Sequence, residues 1–249
     1  MTDEPAPATP SADLFHGIEL VVFDKDGTLI DFDTMWTDWS AGLVKDVAAA
    51  TDPALADPLA DALGLDPRTS RIIPGSPMAG GPMGHLRELT MDTLRRHGFS
   101  QVVVETVVSE AWHPPDPVAL AHPLADLGTL FETLHARGIR VAVATSDDRG
   151  PTEATIAGLD LAALVDGIVC ADDGLPIKPA PDALVHLCGL LGVAPARTAI
   201  VGDSSADLQM GRAAGAGLVV GVLSGVGVRD ELAPYADVIL QSIAELLPQ

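Results

Sequence analysis

The segment Leu20-Val21-Val22-Phe23-Asp24-Lys25-Asp26-Gly27-Thr28 constrains this chain more than any other. Its apolar run reads as a buried strand. The run ends in two carboxylates one residue apart. Alternation along an extended chain points residues 24 and 26 to the same side and turns Lys25 away from both, toward a structural or solvent-facing role. Two acids on one side at the carboxyl end of a strand attract a divalent cation, or divide labour as nucleophile and acid. Gly27 permits a tight turn with amide N–H groups free to meet an anion. The plainer alternative is an acidic exit from strand to turn, where Asp is a common turn former.

The pattern beyond this segment changes twice. Residues 34–50 place Met35, Trp36, Trp39, Leu43 and Val47 at helical spacings, with Asp33 or Thr34 as the cap. Further helices are expected at 53–64, 85–97 and 101–112, although 101–108 is rich in β-branched residues and has strand propensity. The Gly- and Pro-rich stretch 74–84 reads as a loop. From 124 onward, helices at 124–137, 151–158, 181–191 and 205–214 alternate with strands at 139–144, 167–170, 198–201, 218–222 and 238–240. Such alternation implies a parallel sheet with right-handed crossovers. The expected organisation is a tail at 1–12, disordered by composition, an α/β core at 13–31 and 123–249, and a helical insert at 32–122.

Open α/β sheets bind ligands at the carboxyl ends of their strands. The residues just after each strand are therefore the candidates. Asp24 and Asp26 follow the first. Thr145, Ser146, Asp147 and Asp148 follow the second, and Lys178 comes after the third. The fourth gives Gly202-Asp203-Ser204-Ser205-Ala206-Asp207. Each has a bland reading as well: Thr145 as a helix cap, Asp203 as a turn acid, and Asp207 as a cap of the next helix.

Taken in order, these segments resemble the four motifs of the haloacid dehalogenase superfamily. Asp24-Lys25-Asp26-Gly27-Thr28 matches the DxDGT signature of its phosphatases. Thr145 matches the hydroxyl of the second motif, Lys178 the lysine of the third, and Asp203 with Asp207 the GDxxxD form of the fourth. The resemblance covers 18–31 and about 124–245. It is nearest the phosphoglycolate phosphatase-like branch, whose helical cap is inserted after the first motif. Ser146 departs from the Asn often found there.

The resemblance implies a Rossmann-like parallel-sheet core with a helical cap. It also implies a Mg²⁺-dependent phosphatase acting on a small phosphorylated metabolite. Asp24 would be the nucleophile and Asp26 the acid and base. Asp24, the Asp26 carbonyl and Asp203 would hold Mg²⁺, with Asp207 in contact or just behind. Gly27, Thr145, Ser146 and Lys178 would hold the phosphoryl group, and Trp36, Trp39, Met78, Met83, His85 and Arg87 are cap candidates for substrate contact. Asp26 argues against dehalogenation and phosphonate cleavage, whose enzymes lack that acid. A sugar phosphomutase keeps both acids and stays open, as does a non-catalytic phospho-ligand module.

Composition narrows the partners. Acidic residues outnumber basic ones 35 to 14, for a formal net charge of −21. That opposes sequence-independent nucleic-acid binding and requires a local cation wherever an anionic substrate docks. No apolar run is long enough to span a bilayer, and the acidic start lacks a signal peptide's cationic region. Cys170 and Cys188 lie in apolar surroundings, as buried thiols of a reducing, cytoplasmic protein do. Oligomeric state is not readable.

Overall fold

The computed structural model describes residues 14–69 and 71–247. The tail expected at 1–12 lies outside them. The chain enters through β1 (Leu20–Phe23) and then leaves the sheet for a helical segment. That segment comprises α1 (Phe32–Ala50), α2 (Ala56–Leu63), a short hairpin of β2 (Leu65–Asp66) and β3 (Arg71–Ile72), α3 (Pro77–Gly80), α4 (Met83–Arg96) and α5 (Gln101–Ala111). The chain then returns through α6 (Leu127–Ala136), β4 (Arg140–Ala144), α7 (Arg149–Gly158), β5 (Gly167–Val169), α8 (Asp182–Leu191), β6 (Thr198–Gly202), α9 (Ser205–Ala214), β7 (Leu218–Val222), α10 (Arg229–Leu232) and β8 (Val238–Leu240).

Six strands form one parallel sheet in the order β5-β4-β1-β6-β7-β8. β1 is fully buried because helices cover both faces of the sheet. Val21 and Phe23 join a cluster with Leu127, Leu130, Phe131 and Leu134 of α6. Leu20 and Val22 point the other way, into a cluster with Leu184 and Leu187 of α8 and Leu208 of α9. The rings of Phe23 and Phe131 meet with centroids 5.5 Å apart. Phe131 has no exposed surface. Phe131→Ala is therefore expected to cost about 3–5 kcal/mol of stability, read as a lowered denaturant midpoint with an unchanged slope.

The helical segment carries a third apolar cluster of its own, including Leu43, Val47, Leu59, Leu63, Leu86, Leu94, Val104 and Val108. α5 is a helix despite its β-branched run, because Val104, Val107 and Val108 fall on one buried face at helical spacing. Burial there outweighs the small propensity cost of valine. α1 starts earlier than expected. Its cap is Asp31, whose Oδ1 accepts from the Thr34 amide at 2.7 Å, and not Asp33 or Thr34. The stretch 74–84 is not wholly loop. Ser76-Pro77 opens the one-turn α3, where proline suits the first helical position, and Met78 is buried by it. The two connections to the sheet run side by side: Asp31 N donates to His122 O at 2.8 Å and Leu124 N to Leu29 O at 2.9 Å.

Candidate active site

β1 lies where the strand order reverses, with β4 on one side and β6 on the other. A crevice opens at the carboxyl ends of strands at such a point. Asp24 follows β1 directly, and its amide donates to Val201 O of β6 at 2.9 Å. Thr145 and Ser146 follow β4, Asp203 and Ser204 follow β6, and Lys178 arrives on the loop after β5. These residues, with Asp26, Asp147 and Asp207, form the floor of one cavity.

Lys178 is the centre of charge. Its Nζ donates to Asp24 Oδ1 at 2.5 Å and lies 2.6 Å from Asp207 Oδ1. Burial works against this ammonium, but Asp207 and Asp24 outweigh it and hold its pKa above the ordinary lysine range. Burial pushes the Asp24 carboxyl up to about 7, with Lys178 opposing and Asp207 and Asp26 adding to the rise. Asp203 is raised well above the usual carboxylate range by burial, then by Asp24 and Asp207. Asp207 serves two purposes. It completes a capping box with Ser204 at the start of α9, and it faces Lys178.

Asp24, Asp203 and Asp207 each offer one carboxylate oxygen, all within 4.8 Å of one another. Three buried acids thus crowd together, and two of them, Asp24 and Asp207, share Lys178. The excess negative charge and the hard oxygen donors fit a divalent cation such as Mg²⁺. Thr145, expected to hold a phosphoryl oxygen, is buried beside this cluster, and its Oγ1 accepts from the Asp147 amide at 3.1 Å.

Lys25 departs from its expected position. Strand geometry ends at Phe23, and the Lys25 carbonyl accepts from the amides of Leu29 and Ile30, so a tight turn redirects the side chain. It is 1% exposed, and its Nζ lies 2.8 Å from Asp26 Oδ2 and 3.0 Å from Asp147 Oδ2. Burial again opposes the charge, and Asp26 and Asp147 together hold the ammonium above its ordinary range. The two motif acids therefore have separate lysines: Asp24 has Lys178 and Asp26 has Lys25. Asp147 was visible at a strand end, but only the turn after β1 reveals its link to Asp26.

Gly27 also differs from expectation. Its amide donates to Ile30 O at 2.7 Å and is not free for an anion. The residue is needed for close approach: it sits at φ +82°, and a Cβ there would lie 2.6 Å from Asp203 Oδ2. A loop after β7, not singled out in the sequence, closes over the same carboxylate. Val226 N donates to Asp203 Oδ2 at 2.8 Å, Ser224 Oγ donates to Gly27 O at 2.7 Å, and a Cβ on Gly225 would overlap Asp203. The signal was the Ser224-Gly225-Val226-Gly227 run.

The roof comes from the helical segment: Phe32, Trp36, Met78, Met83, Leu86 and the chain at 79–81. Trp36, an expected substrate contact, is there, packed edge-on to Trp39 with centroids 5.8 Å apart. His85 and Arg87 are not. The face of α4 toward the cavity carries Met83 and Leu86, while His85 is exposed and Arg87 Nη1 lies 3.6 Å from Met91 Sδ. Asp172 and Asp173 form a turn held by Arg149, apart from the acids of the cavity floor.

Comparison with known proteins agrees with this architecture. The family model for haloacid dehalogenase-like hydrolases matches residues 18–215. The chain belongs to that family. It is 38% identical over 110 residues to a phosphoglycolate phosphatase of Rhodospirillum rubrum, covering 44% of this chain and 46% of that protein. It is 26% identical over 198 residues to the phosphoglycolate phosphatase of Aquifex aeolicus, covering 80% and 82%. Among solved structures, a HAD phosphatase from Thermococcus onnurineus has a TM-score of 0.63 at 18% identity, covering 92% of this chain and 96% of that one. A β-phosphoglucomutase from Clostridium difficile has a TM-score of 0.61 at 18% identity, covering 92% and 93%. At such identities these structures establish the fold.

Proposed function

We propose that the protein is a phosphatase that hydrolyses a small-molecule phosphate monoester through an aspartyl-phosphate on Asp24. The supporting observation is the division of the two motif acids, with Asp24 in the buried Lys178–Asp203–Asp207 cluster and Asp26 paired with Lys25 at its edge. A carboxylate needs no deprotonation to attack phosphorus, which suits Asp24 to the nucleophile's role. Lys178, the Thr145 hydroxyl and Ser146 hold the phosphoryl oxygens, replacing hydration with fixed donors. Asp26 gives its proton to the leaving alkoxide, then takes one from the water that hydrolyses the intermediate. Asp24, the Asp26 carbonyl, Asp203 and Asp207 would hold Mg²⁺, which would supply charge neutralisation at the phosphoryl group. Residues 32–122 act as a cap over the core of 13–31 and 123–249, excluding bulk water when closed. The relatives named phosphoglycolate phosphatases support the phosphatase reading, and a cytoplasmic setting suits a metabolite substrate. No described helix is long and apolar enough to cross a membrane.

The test is release of inorganic phosphate from p-nitrophenyl phosphate in Mg²⁺ over many turnovers, lost on chelation and restored by adding the metal back. Absence of turnover on this ester and across a panel of phosphorylated metabolites would overturn the proposal. A phosphomutase would instead return the phosphoryl group to a sugar.

The acid cluster also has a stability consequence. In the folded, metal-free protein Asp24 keeps its proton up to about pH 7, whereas an unperturbed Asp loses it near 3.8. Between these values the folded state binds more protons, so this group's contribution to stability is lost as pH rises. Mg²⁺ bound to the ionised cluster offsets that loss. Thermal melts are expected to show a larger Mg²⁺-induced rise in Tm at about pH 8 than at about pH 5, with Asp24→Asn shrinking the difference. An equal rise at both values would contradict this.

A further inference from the structure

The names of the relatives point to 2-phosphoglycolate, whose leaving group carries a carboxylate. The roof of this cavity does not match such a group. Its side chains are Phe32, Trp36, Met78, Met83 and Leu86. Among the described residues lining the cavity, the only cation is Lys178, and it is already held between Asp24 and Asp207. Lys25 is similarly held between Asp26 and Asp147. An adjoining pocket shares Trp36, Met83 and Asp147 with the first and continues past Trp112, Pro114, Pro115 and Pro117. Among its described lining residues the only cation is that same Lys25, and the other charges are the acids Asp147 and Asp148, so no free cation waits beyond the phosphoryl position.

A substrate's phosphoryl group would have Lys178, and a metal held by the acid cluster, as counter-charges. A second anionic group, one bond or two further out, would be pressed against thioethers, an indole and a phenyl ring. The Asp26 and Asp147 carboxylates line the same cavity, and both are already paired with Lys25. Desolvating a carboxylate there without a cationic partner is unfavourable, whereas apolar surface gains on burial. Indole and thioether side chains also favour aromatic rings and soft apolar bodies.

We infer that the leaving group is an uncharged alcohol with an apolar or aromatic body, and that phosphate esters carrying a carboxylate next to the phosphoryl group are poor substrates. This inference rests on the phosphatase reading for its chemistry, but the selectivity can be measured without turnover. The probes are two non-hydrolysable phosphonates, 3-phosphonopropionate and 3-methylbutylphosphonate, in which an isopropyl group replaces the carboxylate. Calorimetric titration of each into the full chain with Mg²⁺ is expected to give at least about tenfold tighter binding of the apolar one. Equal binding, or preference for 3-phosphonopropionate, overturns the inference. In parallel, kcat/KM should rank 3-methylbutyl phosphate, an alkyl ester like 2-phosphoglycolate, at least about tenfold above 2-phosphoglycolate, and the reverse order overturns it. Failure of p-nitrophenyl phosphate to turn over counts against the phosphatase reading alone, since the phosphonate ratio still reads the roof. Met83→Arg places a cation in the roof and should narrow or invert the ratio. An unchanged ratio in folded Met83→Arg protein would mean that the roof does not face the leaving group.

Discussion

Asp24→Asn is expected to abolish measurable turnover, lowering kcat by about 10⁴-fold or more while the fold persists. The amide keeps the volume of the side chain but is a far poorer nucleophile. The change also removes one negative charge from a site where Asp24, Asp203 and Asp207 crowd together and Lys178 pairs with only Asp24 and Asp207. Burial and neighbouring acids already hold the Asp24 carboxyl at about 7 in the metal-free protein. The variant should therefore melt at the same temperature as the parent or higher when metal is absent. Loss of activity with retained or increased stability separates a chemical role from a structural one. A mutant that unfolds, or one that keeps a tenth or more of its activity, would contradict the assignment.

Lys25→Met should be damaging in a different way. Lys25 is buried and is the cation between Asp26 and Asp147. Removing one partner of a buried ion cluster costs about 3–5 kcal/mol, because the remaining charges are left uncompensated. The two acids then repel each other across the vacated space. Asp26 then loses the contact that positions it and swings away from the leaving group. A fall in kcat of about 10²-fold or more is expected, the size associated with general acid–base catalysis, with KM changed less. Lys25→Met/Asp147→Leu removes the second acid as well and should recover part of the lost stability, showing coupling between the positions. Strict additivity of the two single changes would contradict the cluster. If Lys25→Met kept full activity, Asp26 would not depend on that lysine.

Much of the fold could be read from the chain because its signals were local and periodic. Strands 218–222 and 238–240 were placed to the residue, since each is a short apolar run between turn signals. The residues that close the site were harder, because they depend on where the chain goes after its periodicity stops. Strand alternation predicted an outward Lys25, yet the turn at 25–30 brings it back to Asp26. The same turn takes up the Gly27 amide, so the glycine serves the close approach of Asp203 and not an anion. The backing of Asp203 by Val226 joins residues 23 apart in sequence, through a loop with no charged or aromatic marker. His85 and Arg87 had the right chemistry for substrate contact but sit off the face of α4 that Met83 and Leu86 present to the cavity. Side-chain type can be read from sequence; the phase of a helix about its own axis is set by packing.

The most direct test of the proposed mechanism is borohydride trapping of the acid-quenched enzyme during turnover of p-nitrophenyl phosphate in Mg²⁺, followed by peptide mass spectrometry. An aspartyl-phosphate is reduced to homoserine where an ordinary aspartate is not. Homoserine at position 24, absent without substrate and absent in Asp24→Asn, is the predicted result. Unmodified Asp24 while phosphate is being released, or homoserine at another aspartate, would contradict it.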